Sequence, residues 1–322
     1  MNANPNSPEL SIVVPCHNEQ GNLQELRERA GAASSALFGD SYELVLVDDG
    51  SRDETWSAIQ DLARQSARVR GVKLSRNFGQ QCALTAGLQH ARGKRILIMD
   101  ADLQDPPELL ESLCRKMDEG FDVVTAKRAK RDSESAFKKL SSKLFYRLLA
   151  KIADTPIPLD TGDFRLVSRR ALDAFLAMPE SHRFIRGMFS WIGFAQTSIE
   201  FDRKARSAGE TQYSFSKMLA LATDAITSYS TVPLRLCGLL GIFAGALSLC
   251  LGVYILASFL MTSTVRGWTS LAAIVTFFGS IQLISLSVIG EYLGRAYEQS
   301  KGRPLFIVEE TAGYHRDADS TE

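Results

Sequence analysis

Two runs without a single charge, Leu236 to Met261 and Trp268 to Gly290, constrain this chain more than any other feature. Each exceeds the roughly 20 residues that a helix needs to cross about 30 Å of hydrocarbon. Buried core helices are the alternative, but these are usually shorter and carry a polar stripe. Only Thr262 to Gly267 separate the runs, with Arg266 the one charge among them, so the pair reads as a helical hairpin. Its outer ends then face one compartment. Arg235 precedes the first run, and Arg295, Lys301 and Arg303 follow the second. The positive-inside bias places the preceding region and the tail in the cytoplasm. Gly238, Gly241, Gly245 and Ser248 recur three to four residues apart, a spacing that permits close helix packing within or between chains.

Composition narrows the partners. The 322 residues carry 37 basic and 37 acidic side chains, so no chain-wide basic field exists and nucleic acid is not expected as a partner. The five cysteines, Cys16, Cys82, Cys114, Cys237 and Cys250, form no CxxC pair, which speaks against a zinc site or a disulfide framework. His17, His90, His182 and His315 form no spaced pair either. Met1 to Leu10 is polar and contains Pro5 and Pro8, so no signal-peptide core is expected there. Two stretches read as helices lying in a headgroup layer. Phe137 to Ile152 alternates an apolar stripe with lysine and arginine, and Phe215 to Tyr229 leads straight into the first uncharged run. For the first of them, a surface helix packed on the core fits the periodicity equally well. The division expected is a domain over 1–213, an interfacial helix over 214–232, two spans within 233–291 (about 236–261 and 268–290) and a tail over 292–322.

The N-terminal region is expected to be α/β. Leu10 to Pro15, Glu43 to Val47, Val69 to Leu74, Arg95 to Met99 and Asp122 to Ala126 are short aliphatic runs. Asn22 to Leu37, Asp53 to Gln65, Gln80 to Ala91 and Pro107 to Glu119, which separate them, are helix-like. Such alternation implies a mostly parallel sheet flanked by helices, with ligands bound beyond the carboxyl ends of its strands. No GxGxxG occurs, and Gly87 to Lys94 has the wrong spacing for a phosphate-binding loop. Carboxylates stand at the expected strand ends instead: Glu19 beside Asn18, then Asp48 and Asp49, then Asp100, Asp102 and Asp105. In an extended segment Asp100, Asp102 and Gln104 point the same way and offer hard oxygen ligands to Mg²⁺ or Mn²⁺. Asp53 is set aside as a cap for the helix that follows.

These clusters resemble family 2 glycosyltransferases of the GT-A fold. The resemblance rests on Val14-Pro15-Cys16-His17-Asn18-Glu19, on Val47-Asp48-Asp49-Gly50-Ser51 through Thr55, and on Asp100-Ala101-Asp102. The polyprenyl-phosphate branch is suggested by Leu103-Gln104-Asp105-Pro106-Pro107, Gly162-Asp163-Phe164-Arg165-Leu166, His182-Arg183-Phe184-Ile185-Arg186-Gly187, Ala208 to Ser214 and Gly290 to Arg295. Within it the chain looks most like the bactoprenol (undecaprenyl-phosphate) glucosyltransferases, which are related to dolichol-phosphate mannose synthases. The resemblance implies that Pro15, Asn18, Glu19, Asp48, Asp49 and Ala101 bind the nucleotide sugar. It implies that Asp100, Asp102 and Gln104 hold Mg²⁺ or Mn²⁺, that Arg128, Arg131, Arg206 and Lys217 grip the lipid phosphate, and that Asp160, Asp163 and Arg165 serve catalysis.

The implied reaction moves a hexose, from UDP-glucose in the commonest case, to polyprenyl phosphate. GDP-mannose, UDP-GlcNAc or UDP-GalNAc, UDP-galactose and a modified arabinose donor are the alternatives. The implied setting is a bacterial inner membrane with both termini cytosolic, in a homo-oligomer for which a tetramer is one form. Two other classes fit less well. A processive polysaccharide synthase would need more spans and a QxxRW motif, and neither is present. A non-catalytic scaffold has no use for the intact Asp-x-Asp.

Overall fold

The computed structural model describes residues 7–128, 161–181, 183–201, 232–261 and 267–314. These fall into two compact units, one built on a sheet and one on two long helices. The two stretches expected to lie in a headgroup layer are outside the described residues.

In the sheet unit, β1 (Leu10–Cys16), α1 (Leu23–Phe38), β2 (Tyr42–Asp48), α2 (Thr55–Gln65), β3 (Val69–Leu74), α3 (Gln80–His90) and β4 (Arg95–Ile98) alternate as their sequence pattern requires. A short 3₁₀ turn, Pro107–Leu109, opens α4 (Leu110–Asp118), and β5 (Val123–Arg128) follows. After the next described residues come β6 (Thr161–Ser168), α5 (Arg169–Leu176), α6 (Ile185–Trp191) and β7 (Gln196–Phe201). The described strands form one sheet in the order β7-β5-β6-β4-β1-β2-β3-β8, where β8 is Val308–Ala312. The block β4-β1-β2-β3 is parallel, whereas β6 runs antiparallel to both β4 and β5. Leu10, Ile12, Val13 and Val14 are fully buried, as are Leu46 and Val47. Helices on both faces account for these unbroken apolar strands. α3 packs against β1 and β2, while α1 and α2 also lie against the sheet.

The register of β6 places it beside the acidic end of β4. Ile98 pairs with Arg165, so Asp163 comes next to the residues that follow β4. β6 also seats Asp122, which precedes β5. The Asp122 carboxylate accepts bonds from Arg170 Nε and Nη2, both at 2.5 Å, and from Ser168 Oγ at 2.7 Å. Ser168 in turn caps α5 by accepting from Ala171 N. The Arg170 hydrogen bonds hold the Asp122 carboxyl below the ordinary aspartate range, against the opposing effect of burial.

The tail is more than an appendage. β8 pairs antiparallel with β3, and the carboxylate of Glu310 accepts from Trp56 Nε1 at 3.0 Å and Gln60 Nε2 at 2.8 Å. Lys73 meets Glu309 at 3.1 Å. Tyr314 lies under the Arg70 guanidinium and edge-on to His90. Gly313 makes the close approach possible: its φ is +75°, and a Cβ there would sit 2.4 Å from the Val69 carbonyl oxygen.

The second unit contains α7 (Val232–Met261) and α8 (Trp268–Ser300), which pack on each other. The stretches Val232–Cys250 and Phe277–Ser300 within them have mean hydropathies of 1.8 and 1.3, long and apolar enough to cross a membrane. Large apolar side chains stand outward on both helices, among them Ile242, Leu249, Leu283 and Leu286. That outward apolar face is what hydrocarbon accepts and water does not.

Two outcomes follow for stability. Gly313→Ala should cost about 2 kcal/mol or more through backbone strain and the overlap with Val69, read as a lower unfolding temperature. Because Asp122 titrates below its unfolded value, its contribution is complete above about pH 4 and is lost as pH falls through the folded value. An acid titration of unfolding should therefore show a weaker pH dependence below about pH 4 in Asp122→Asn than in the natural chain.

Candidate active site

Four consecutive strand ends of the parallel block converge on one cavity of about 240 Å³. β1 contributes Pro15, Cys16, His17 and Glu19, and β2 contributes Asp49. The β3–α3 connection supplies Asn77 and the first residue of α3 supplies Gln80, while Asp100, Ala101 and Asp102 follow β4. This is the carboxyl edge of the sheet, where an α/β topology leaves a crevice.

The edge is assembled around the Asp48-Asp49-Gly50 turn. Asp49 is almost wholly buried, and its two oxygens accept the backbone N–H groups of Phe78 at 2.7 Å and Gly79 at 2.9 Å. Gly50, at φ +62°, lets the same connection pass: a Cβ would lie 2.4 Å from Arg76 C and Asn77 N. His17 Nδ1 meets the Asp49 carbonyl at 2.9 Å and the Asn77 amide at 3.2 Å. Thus the acidic turn fixes a neighbouring loop through charge-assisted bonds to its backbone. Glu19 faces the cavity, with Oε2 accepting from Asn22 at 2.6 Å. Burial raises the Glu19 carboxyl above its ordinary value, the Asn22 bond opposes that, and the nearby Asp102 charge adds to the rise.

The end of β4 concentrates charge. Burial and the neighbouring Asp105, Asp163 and Asp102 push the Asp100 carboxyl up to about 7, with Arg186 pulling the other way. Gln80 Nε2 donates to Asp100 Oδ1 at 2.9 Å. Residues 101–103 form a turn rather than continuing the strand, with Leu103 in the left-handed region at φ +56°. Asp102 Oδ1 accepts from Gln104 N at 3.1 Å inside that turn. A non-glycine residue held there costs on the order of 1–3 kcal/mol. The turn keeps Asp102 exposed at the cavity, while the Gln104 side chain does not line it.

Two arginines flank Asp163 near Asp100: Arg165 is buried, and Arg186 is partly exposed. Arg186 Nε and Nη2 grip both Asp163 oxygens at 2.7 and 3.2 Å, and Arg165 Nη2 stands 3.8 Å from Asp163 Oδ1. Burial pushes the Asp163 carboxyl up, but the Arg186 hydrogen bonds and the charges of Arg186 and Arg165 outweigh it, leaving the group below its ordinary range. Burial draws the Arg165 guanidinium down to about 10, where it still carries its charge at neutral pH. Arg165 also donates to the Asp163 and Gly162 carbonyls and stacks near Phe189.

Among the residues singled out from sequence, Pro15, Glu19, Asp49, Ala101, Asp100 and Asp102 line the cavity. Asn18 sits at its margin in the left-handed region (φ 57°), its Oδ1 accepting from Arg52 N at 2.9 Å. Asp48 is fully buried beneath, with Oδ1 on Ser51 N and Oδ2 without a hydrogen-bond partner. Arg128 ends β5, and its side chain is not described. Asp160, Arg131, Arg206 and Lys217 fall outside the described residues. Sequence reasoning passed over Asn77 and Gln80, and it gave His17 no role beyond its place in the Val14 to Glu19 motif. The strand-end rule that flagged the carboxylates applies equally to the residues after β3, but no acidic side chain drew attention to them.

Among the described residues no three His, Cys, Asp or Glu side chains gather closely enough to enclose a metal ion unaided. Asp100 and Asp102 nevertheless suit a divalent cation that arrives with phosphate oxygens: both are hard oxygen donors on one cavity, and they repel each other.

A crevice lined by carboxylates at the carboxyl edge of a parallel sheet is where an α/β enzyme binds its ligand. The chain belongs to glycosyl transferase family 2, whose family model matches residues 11–176. It is 43% identical to an uncharacterized glycosyltransferase, YkcC, of Bacillus subtilis (strain 168) over 95% of this chain and 94% of that one. It is 37% identical to a prophage bactoprenol glucosyl transferase homolog of Escherichia coli (strain K12), covering 93% of this chain and 98% of the other. Among solved structures it is similar to glucosyl-3-phosphoglycerate synthase from Mycobacterium tuberculosis, crystallised with Mn²⁺, UDP-Glc and phosphoglyceric acid. There the identity is 19%, the TM-score 0.44, and 68% of this chain and 78% of that chain are covered.

Asp49→Ala would leave the Phe78 and Gly79 amides without their acceptor, at a cost of about 2–4 kcal/mol. Hydrogen exchange at those two amides should accelerate while exchange in the body of β1 and β2 stays slow.

Proposed function

We propose that the protein transfers a glucosyl group from UDP-glucose to the phosphate of a polyprenyl phosphate, with inversion at the sugar carbon, at the cytoplasmic face of a bacterial inner membrane. The observation that carries this reading is the union, in one chain, of the Asp100–Asp102 cavity with two helices fit to span a bilayer. The bactoprenol glucosyl transferase named among its relatives supports both the sugar and the lipid.

The acceptor is a phosphate monoester whose second ionisation lies near pH 6, so it reaches the site already anionic and nucleophilic. Its oxygen bonds to the sugar carbon as the bond from that carbon to the nucleoside diphosphate breaks, and no proton has to move. The difficulty is to bring one anion up to another. Asp100 and Asp102 would hold Mg²⁺ or Mn²⁺; Gln104, expected beside them, has its side chain outside the cavity lining. Bound there, the cation supplies positive charge against the departing diphosphate.

Pro15, Asn18, Glu19, Asp48, Asp49 and Ala101 form the nucleotide side in this reading, with Asp49 acting through the loop that it holds. Arg165 and Arg186 keep positive charge behind the reacting centre while Asp163, gripped by both, stays ionised and orients them. Arg128, Arg131, Arg206 and Lys217 are assigned to the lipid phosphate, where guanidinium groups bind bidentately and set the line of attack. Asp160 is assigned an orienting role.

Purified protein incubated with labelled UDP-glucose, undecaprenyl phosphate and Mg²⁺ or Mn²⁺ should move label into the organic phase. Asp102→Asn should reduce that transfer by about two orders of magnitude. A panel of the other nucleotide sugars fixes the donor, and label that stays aqueous with every donor overturns the proposal.

A further inference from the structure

Gln80 occupies an unusual place in this site. It is the first residue of α3, and everything around it is fastened. Phe78 N and Gly79 N are held by the Asp49 carboxylate, and the chain at Arg76 and Asn77 is pressed against Gly50. On its other side Gln81 Oε1 accepts Ile185 N at 3.0 Å, at the start of α6, and the next residue there is Arg186. The Gln80 amide therefore projects from a rigid mount, and it donates to Asp100 Oδ1 at 2.9 Å.

Asp100 needs such a partner. It stands among Asp102, Asp105 and Asp163, whose charges would otherwise govern how its carboxylate turns. A lysine or arginine at position 80 would fix the carboxylate too, but it would also cancel the charge that attracts a cation. A neutral amide orients without cancelling. Engaging Oδ1 leaves Oδ2 as the oxygen that the amide does not use.

We infer that Gln80 is a positioning residue that sets the Asp100 carboxylate for the divalent cation accompanying the donor; this rests on the cation reading given under Proposed function. Hydrogen-bonded partners of metal-ligating carboxylates typically change metal affinity by about 10–100-fold when removed. The effect belongs to the cation and not to the nucleotide or the lipid.

The test uses the full-length protein in detergent, saturated with UDP, with Mn²⁺ binding followed by the electron paramagnetic resonance signal of the free ion. Gln80→Leu should raise the apparent Kd for Mn²⁺ by about tenfold. Its unfolding temperature should be unchanged, and excess Mn²⁺ should restore its kcat. Gln80 is exposed, so the substitution is compatible with folding, and Gln80→Ser provides a second, polar variant without the reach to Asp100. Wild-type Mn²⁺ affinity in both Gln80 variants, with affinity lost in Asp102→Asn, overturns the role given to Gln80 and leaves the cation reading standing. Wild-type affinity in Asp102→Asn as well overturns both.

Discussion

Repulsion among carboxylates at the end of β4 is the constraint around which the site is organised. Asp100, Asp102, Asp105 and Asp163 come together where burial already disfavours charge. The protein answers unevenly. Asp163 receives Arg186 and Arg165 and stays ionised, whereas Asp100 accepts a neutral amide from Gln80 and, with the Arg186 charge too weak to offset burial and its acidic neighbours, its carboxyl rises to about 7. One carboxylate is thus neutralised from within, and the other keeps an electrostatic deficit on the cavity side. The proposed cation would answer that deficit, because a fully compensated cluster would have no attraction left to offer.

The Asp48-Asp49-Gly50 turn shows how one short motif serves several ends. Its buried carboxylate organises the backbone of 78–79, its glycine makes room for 76–77, and its carbonyl engages His17. Through that loop it governs Asn77 and Gln80, and through Gln81 it is connected to α6 and Arg186. Residues far apart in sequence are thereby bound into one wall.

β8 extends this logic to the chain beyond the two long helices. The chain leaves the sheet unit before α7, and after α8 it returns to pair with β3, so the sheet unit is linked to the helices at two points in sequence. The ladder is reinforced by Trp56, Gln60 and Lys73 on Glu310 and Glu309, and by Tyr314 between Arg70 and His90. Covering β3 also removes an exposed edge that would otherwise invite pairing with another chain.

Much of this was legible in the amino-acid order. Periodicity located β1 to β5 and α1 to α3 to within a residue or two, and α4 likewise once its opening 3₁₀ turn is included, because strands buried on both faces must be continuously apolar and their helices amphipathic. The uncharged runs became α7 and α8, and Asp53 bonds Thr55 N at the start of α2, although the N-cap position itself falls to Glu54. The carboxylates after β1, β2 and β4 were found because strand order puts the carboxyl ends on one edge. Tertiary structure decided the rest. β6 and β7 have mixed polarity, and β8 reads Val-Glu-Glu-Thr-Ala, too polar to announce a strand until β3 supplies its hydrogen bonds. The pairing of Asp100 with Gln80, and of Asp163 with Arg186, depends on side chains brought together across the sheet. Local sequence fixes what each segment prefers, but a hydrogen bond between distant residues exists only once the chain has folded around it.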